Sequence, residues 1–164
     1  MIPPAEVELR RMIAADIPTV FRIDRESSAL YWPESSYHFE TEQNRASRPW
    51  TALSQQGEIM GFLILWLIED ELHVANFAVA PAFRRRGIGW LLMDNGLNQG
   101  WDEGARRSFL EVRAGNEPAI ALYSKIGYTE VNRRKSYYQD NQEDALLMNL
   151  EEPAFHNYIL AREK

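Results

Sequence analysis

Four stretches of the chain hold residue types that could do chemistry. The first is Arg84-Arg85-Arg86-Gly87-Ile88-Gly89, which follows an apolar strand pattern and Pro81 and leads into a helical pattern. A strand, a basic glycine-bearing turn and a helix start together form a device for gripping phosphate. The first amides of a helix lack intrahelical partners and carry partial positive charge, and glycine lets the main chain approach an anion closely. The second is Glu111, an acid between Leu110 and Val112 in a predicted strand. An ionisable residue there needs a partner or a task. It is either a general base, acting through water, or half of an ion pair with Arg113 on the same face or with another arginine. The third is Tyr123, on the helix that follows; a helical tyrosine is ordinarily core. The fourth is Tyr137-Tyr138, between the last two strand patterns.

Several chemistries are excluded or disfavoured. No G-x-x-x-x-G-K-[ST] is present, and no G-x-G-x-x-G follows the strand, so neither a P-loop nor a dinucleotide fingerprint is read. The absence of cysteine removes disulfides, thiolate metal sites and a cysteine nucleophile. His38, His73 and His156 are far apart and show no ligand spacing, so no metal is expected. The net charge of −6 argues against direct nucleic-acid binding. The N-terminus has no basic start and no apolar h-region, and the longest apolar run, Ile59 to Ile68, is too short to span a bilayer. A cytoplasmic enzyme without a membrane partner is the expectation.

The elements that must position these residues are legible from periodicity and turn signals. Strands are expected at Val7–Ile13, Trp50–Leu53, Ile59–Ile68, Leu72–Val79, Ser108–Arg113, Tyr128–Asn132 and Ala145–Leu150. Asp16 is expected to cap a first helix with Pro18 in its first turn and its end near Ser27–Ser28, and Pro33 to open a second that runs to about Asn44. A third helix runs from Ile88 to about Glu103, weakened by Gly96 and Gly100 and stopped by Gly104. Asn116 caps a fourth, which Gly127 ends, and a short helix occupies the tail after Glu151. The aromatics Tyr31, Trp32 and Tyr37 are either core or walls of a groove. The order gives an α+β fold with a mixed, mostly antiparallel seven-stranded sheet. A length of 164 residues without a linker suits one domain, with a core at about 7–150 and an appendage at 151–164.

The spacing Arg84-x-x-Gly87-x-Gly89 resembles the pyrophosphate-binding signature of the GCN5-related N-acetyltransferase (GNAT) family. The segment A-G-N-E-P-A-I-A-L-Y-S-K-I-G-Y at 114–128 is similar to that family's second signature. Within the family, the branch resembled is the RimI-like ribosomal-protein-alanine N-acetyltransferases. The residues that carry this are N-F-A-V at 76–79, L-E-V-R-A-G-N at 110–116, A-I-A-L-Y at 119–123, R-R-K-S-Y-Y at 133–138 and E-D-A-L-L-M at 143–148.

The resemblance implies the GNAT fold and acetyl-CoA as co-substrate, with no metal. It implies acetyl transfer to the α-amino group of a protein N-terminus, such as the alanine of ribosomal protein S18, by direct attack in a ternary complex. It implies Glu111 as base and Tyr123 as acid facing the cofactor sulfur. Phe77, Ala78, Val79, Arg84, Arg85, Arg86, Gly87, Ile88, Gly89 and Asn116 would join Tyr123 in holding acetyl-CoA. Tyr31, Trp32, Asn76, Tyr137 and Tyr138 would line the acceptor groove. Two other readings share the turn: an acetyltransferase for a small amine (polyamine, amino acid or antibiotic), and a non-catalytic acyl-CoA-binding regulatory module.

Overall fold

The computed structural model describes residues 1–162. Seven strands form one sheet: β1 (Val7–Arg11), β2 (Ser47–Ser54), β3 (Ile59–Ile68), β4 (Glu71–Val79), β5 (Arg107–Arg113), β6 (Thr129–Arg134) and β7 (Ala145–Leu150). Their order is β1-β2-β3-β4-β5-β7-β6. The β1–β2, β2–β3, β5–β7 and β6–β7 pairs are antiparallel and β4–β5 is parallel, so the sheet is mixed and mostly antiparallel as expected. The helices are α1 (Ile17–Ser27), α2 (Glu34–Glu42), α3 (Ile88–Asp102), α4 (Glu117–Ile126) and α5 (Ala154–Arg162). Among the described residues no helix is long and apolar enough to cross a membrane.

Contacts cluster into two compact units. One holds Met1–Trp66 and Ala75–Gln99, the other Leu67–Val74 and Gly100–Lys164. In the first unit, the apolar stripe of α1 supplies Ile17, Val20 and Ile23, which are buried with Met12, Tyr37, Phe62 and Ile64. Burying each such side chain stabilises the fold by about 1.5–3 kcal/mol. In the second unit, Val112 of β5, Leu146, Met148 and Leu150 of β7, and Tyr123 and Ile126 of α4 are buried, with Phe155 and Ile159 of α5.

Four local expectations need correction. Asp16 does not cap α1: a 3-10 turn at Ala14–Asp16 runs straight into the helix, and the Asp16 carboxylate instead accepts from Arg10 and from the Ile13 amide. The first strand stops at Arg11, where the Met12 amide turns to the Pro49 carbonyl. The second strand is longer than its apolar run and spans Pro49, because pairing with β3 extends it to Ser47. Gly96 and Gly100 are buried rather than exposed defects of α3. A Cβ on Gly96 would stand 2.6 Å from Leu65 Cδ1 and 2.8 Å from Leu63 Cδ2, and one on Gly100 would stand 2.7 Å from Leu72 Cδ2. Glycine there permits close packing of helix on strand, and an alanine would have to push these leucine methyls aside.

Candidate active site

The basic turn lies in the first unit. Its Arg84, Arg85 and Arg86 are all exposed. Two of its residues have left-handed backbone, Arg85 at φ 61° and Gly87 at φ 86°. Such residues turn successive N–H groups to one side, the concave arrangement that takes an anion. For a non-glycine residue this conformation costs about 1–2 kcal/mol, a strain typical of ligand-holding turns. The 15-residue helix α3 begins directly after it at Ile88, adding the amides and positive end of a helix. The turn therefore has the chemistry to fit a diphosphate. A Cβ on Gly87 would stand 2.9 Å from the Met1 sulfur, and the Ile2 amide donates to the Arg86 carbonyl at 3.0 Å, so the first residues lie along this turn.

The three arginines are not equivalent. Arg84 Nε donates to the Val79 carbonyl at 3.0 Å and its Nη2 to the Ser27 hydroxyl at 3.0 Å. Its guanidinium ties the turn to the end of β4 and to the last turn of α1. Phe77, Ala78 and Val79 end β4, half-buried. The Ala80 amide donates to the Met60 carbonyl at 2.9 Å, and a Cβ on Gly61 would stand 2.9 Å from the Ala78 carbonyl oxygen. Gly61 therefore lets β3 run close against β4 at Ala78–Val79.

The groove candidates of this unit separate by burial. Tyr37 is fully buried, Tyr31 is 48% exposed, and Trp32 is half-buried. Tyr37 is thus core, and of the three only Tyr31 and Trp32 present surface. Asn76 is half-buried; its side chain donates to Asp24 and to the Tyr37 oxygen and accepts the Phe77 amide.

In the second unit, β5 extends Glu111 to the surface, opposite Leu147 of β7. Arg134 Nη2 stands 3.5 Å from Glu111 Oε1. Of the ion-pair partners considered for Glu111, Arg113 is taken elsewhere: it holds Asp140 bidentately at 2.9 and 3.0 Å. The Arg113 Cζ lies 3.9 Å from the Tyr138 ring centroid and the Arg134 Cζ 5.3 Å from that of Tyr137. The two tyrosines meet edge to face at 5.2 Å. Glu111, Arg134, Tyr137, Tyr138 and Arg113 are therefore one assembly. Its loop is pinned by the Gly115 amide donating to Glu143 at 2.9 Å and the Ser136 amide to Asp144 at 2.9 Å.

Asn116 accepts the Ala119 amide at 3.3 Å and caps α4, as its position predicted. Tyr123, on α4, is 5% exposed, and burial pushes its phenol well above the ordinary tyrosine value. Its ring lies 5.8 Å from that of Tyr128, whose hydroxyl shares a hydrogen bond of 2.6 Å with Ser108. The phenol therefore carries its proton at neutral pH, as any proton donor must, while burial makes it a weaker acid than a free tyrosine. Among the described residues no group of three or more histidine, cysteine, aspartate or glutamate side chains could hold a metal ion.

Two features escaped the sequence reading. Asp24 is buried at 2% exposure among hydrogen bonds, and its signal was an acid directly following the apolar Val20, Phe21 and Ile23. The Arg113–Asp140–Glu143 clamp had no signal, because its partners are 27 or more residues apart.

Comparison with known proteins gives a consistent result. The model of the acetyltransferase (GNAT) family matches residues 17–128. The chain is 33% identical over 138 residues to the ribosomal protein bS18-alanine N-acetyltransferase of Escherichia coli (strain K12), covering 82% of this chain and 90% of that one. It is 31% identical over 154 residues to an N-alpha-acetyltransferase of Sulfolobus acidocaldarius, covering 86% and 90%. Among solved structures, the ribosomal-protein-S18-alanine N-acetyltransferase from Escherichia coli superimposes with a TM-score of 0.80 at 30% identity, covering 88% of this chain and 92% of that one.

Proposed function

Because the chain belongs to the acetyltransferase (GNAT) family, we propose that it acetylates the α-amino group of a protein N-terminus, with the alanine of a ribosomal S18 protein as acceptor. The enzyme class follows from the family: it is an acetyl-CoA-dependent N-acetyltransferase. The single observation that carries the acceptor is the likeness, over more than four fifths of the chain, to a ribosomal protein bS18-alanine N-acetyltransferase and to an N-alpha-acetyltransferase. A ribosomal acceptor would be met in the cytoplasm. The family match, residues 17–128, takes in residues of both units, in keeping with a reading of the chain as one acetyltransferase domain.

In this reading the bound co-substrate supplies an acetyl thioester. The amides from Arg85 to Gly89 hold its diphosphate, and the exposed Arg85 and Arg86 add charge beside it. Arg84 keeps the turn in place. The end of β4, Phe77 to Val79, and Asn116 orient the pantetheine arm, and an amide near Val79 polarises the thioester carbonyl. Glu111 takes the proton that the acceptor ammonium must lose before it can attack, through water. Its pair with Arg134 is open to solvent on both sides, 49% and 39% exposed. Such a pair is worth at most about 1 kcal/mol, so Glu111 can exchange it for another donor. Tyr123 then protonates the departing thiolate. Tyr31, Trp32, Asn76, Tyr137 and Tyr138 receive the acceptor chain.

The test is acceptor profiling. The full chain, mixed with acetyl-CoA and a panel of N-terminal peptides and small amines, should release free thiol with peptides that begin with alanine. Release only with polyamines, amino acids or aminoglycosides would replace the acceptor. Tight acetyl-CoA binding without turnover on any acceptor would leave a non-catalytic module.

A further inference from the structure

Asp24 takes no part in the steps above, yet it is one of the most completely engaged side chains of the first unit. It lies on α1 at 2% exposure. A single oxygen, Oδ2, accepts the Trp32 amide at 3.0 Å, the Asn76 side-chain amide at 3.2 Å and the Tyr37 hydroxyl. The Asn76 amide also reaches the Tyr37 oxygen at 2.9 Å. Among the described residues no arginine, lysine or histidine pairs with Asp24. A buried acid met only by neutral donors is a costly way to fill space, and apolar packing would serve stability better.

Its partners indicate what it is for. They come from three separate segments: the loop after α1, helix α2 and strand β4. The Trp32 ring is fixed from two further sides. It meets Tyr37 at 5.7 Å and lies near-parallel to Trp66 at 6.4 Å, while Trp66 Nε1 donates to the buried Glu40 at 2.9 Å. Trp32 is nevertheless only half-buried. A side chain that keeps an open face while backbone and ring are both held is a built wall rather than core filling.

We propose that Asp24 is a positioning residue for the acceptor: it locks the loop at Trp32 and the Asn76 side chain of β4 into one arrangement, and so sets the groove that receives the start of the acceptor. The inference rests on the reading of Trp32 and Asn76 as acceptor-lining residues. It separates the two substrates, because none of Asp24's hydrogen bonds involves the basic turn.

The experiment compares wild type with Asp24→Ala, Asp24→Asn and Tyr37→Phe in the full chain, measuring KM for acetyl-CoA and for an alanine-starting peptide. Asp24→Ala should raise the peptide KM about tenfold and leave the acetyl-CoA KM within about twofold. Asp24→Asn, which keeps an oxygen for the Trp32 and Asn76 donors, should recover most of the loss. Tyr37→Phe removes one donor and should raise the peptide KM about threefold; it decides the matter if Asp24→Ala does not fold. An unchanged peptide KM in Tyr37→Phe and in any folded Asp24→Ala, or an equal rise in both KM values, overturns the proposal. If wild type acts only on small amines, the peptide reading falls, and the same comparison with the amine KM still decides the role of Asp24. No turnover by wild type on any acceptor sinks both.

Discussion

The Arg134 guanidinium stands 3.5 Å from the Glu111 carboxylate while resting 5.3 Å from the centre of the Tyr137 ring. One cation thus links the proposed base to the proposed acceptor wall. Because the pair is exposed, its loss alone should matter little. Glu111→Gln should lower kcat/KM by about 10²–10⁴-fold, the usual value of a general base. Arg134→Ala should stay within about fivefold of wild type by the weak-pair argument. Steady-state rates at saturating acetyl-CoA distinguish the two; an equal fall in both variants would make the ion pair, not proton removal, the functional feature.

Tyr123→Phe keeps the ring and removes the proton. It should lower kcat by about 10²-fold while calorimetry shows acetyl-CoA affinity unchanged. An unchanged kcat would remove Tyr123 as the acid.

Tyr37, Tyr123 and Tyr128 carry an alkaline signature. Burial pushes all three phenols above the ordinary tyrosine value, and for Tyr37 the adjacent Asp24 pushes further. Their contribution to stability is fully present below the unfolded value of about 10 and is lost as pH rises above it toward the folded values. Thermal melts should therefore decline from about pH 10 upward, and Tyr37→Phe should flatten that decline. Melts flat through that range would contradict it.

At the acid end the informative pair is Arg10–Asp16. Arg10 holds the 5% exposed Asp16 at 2.7 and 2.9 Å. Burial alone would raise the Asp16 value, but the Arg10 hydrogen bonds and the Ile13 amide outweigh it, and the net shift is downward. The stability gained is present above the unfolded value of about 3.9 and is lost as pH falls through the lower folded value. Arg10→Met leaves a buried acid without its cation and should cost about 2–4 kcal/mol at neutral pH, read by urea unfolding. It should also abolish this acid-side loss.

Gly61→Ala probes the floor of the proposed pantetheine site. Its Cβ would meet the Ala78 carbonyl at 2.9 Å and Val79 Cα at 3.3 Å. β4 must then give way, at about 1–3 kcal/mol, and the acetyl-CoA KM should rise with it. Gly104→Ala, where nothing lies within 4 Å of the added Cβ but φ is 113°, should cost stability without touching that KM.

What could be read in the sequence was whatever local rules determine. Ile59–Ile68 and Ala145–Leu150 were legible to the residue, because an apolar run bounded by turn signals has few alternatives. Asn116, Gly104 and Gly127 were legible because caps and left-handed stops are decided within a few residues. The extent of β2 was not, since pairing with β3 overrides Pro49. Nor was the service of Gly96 and Gly100, which depends on leucines of other elements. At the candidate site, the turn at 84–89 announced itself through composition. Three things depended on contacts that no local pattern encodes: the partner of Glu111, the binding of Arg84 to Val79 and Ser27, and the hydrogen bonds of Asp24.

Strand β6 is outermost in the sheet order, and all six of its residues are exposed. It carries Glu130 and Arg133, paired at 3.1 Å, next to Arg134, and its register with β7 slips between Glu130 and Asn132. A neighbouring copy seeking to extend the sheet there would have to strip water from charge and follow a broken ladder. The rim is a poor template for polymerisation.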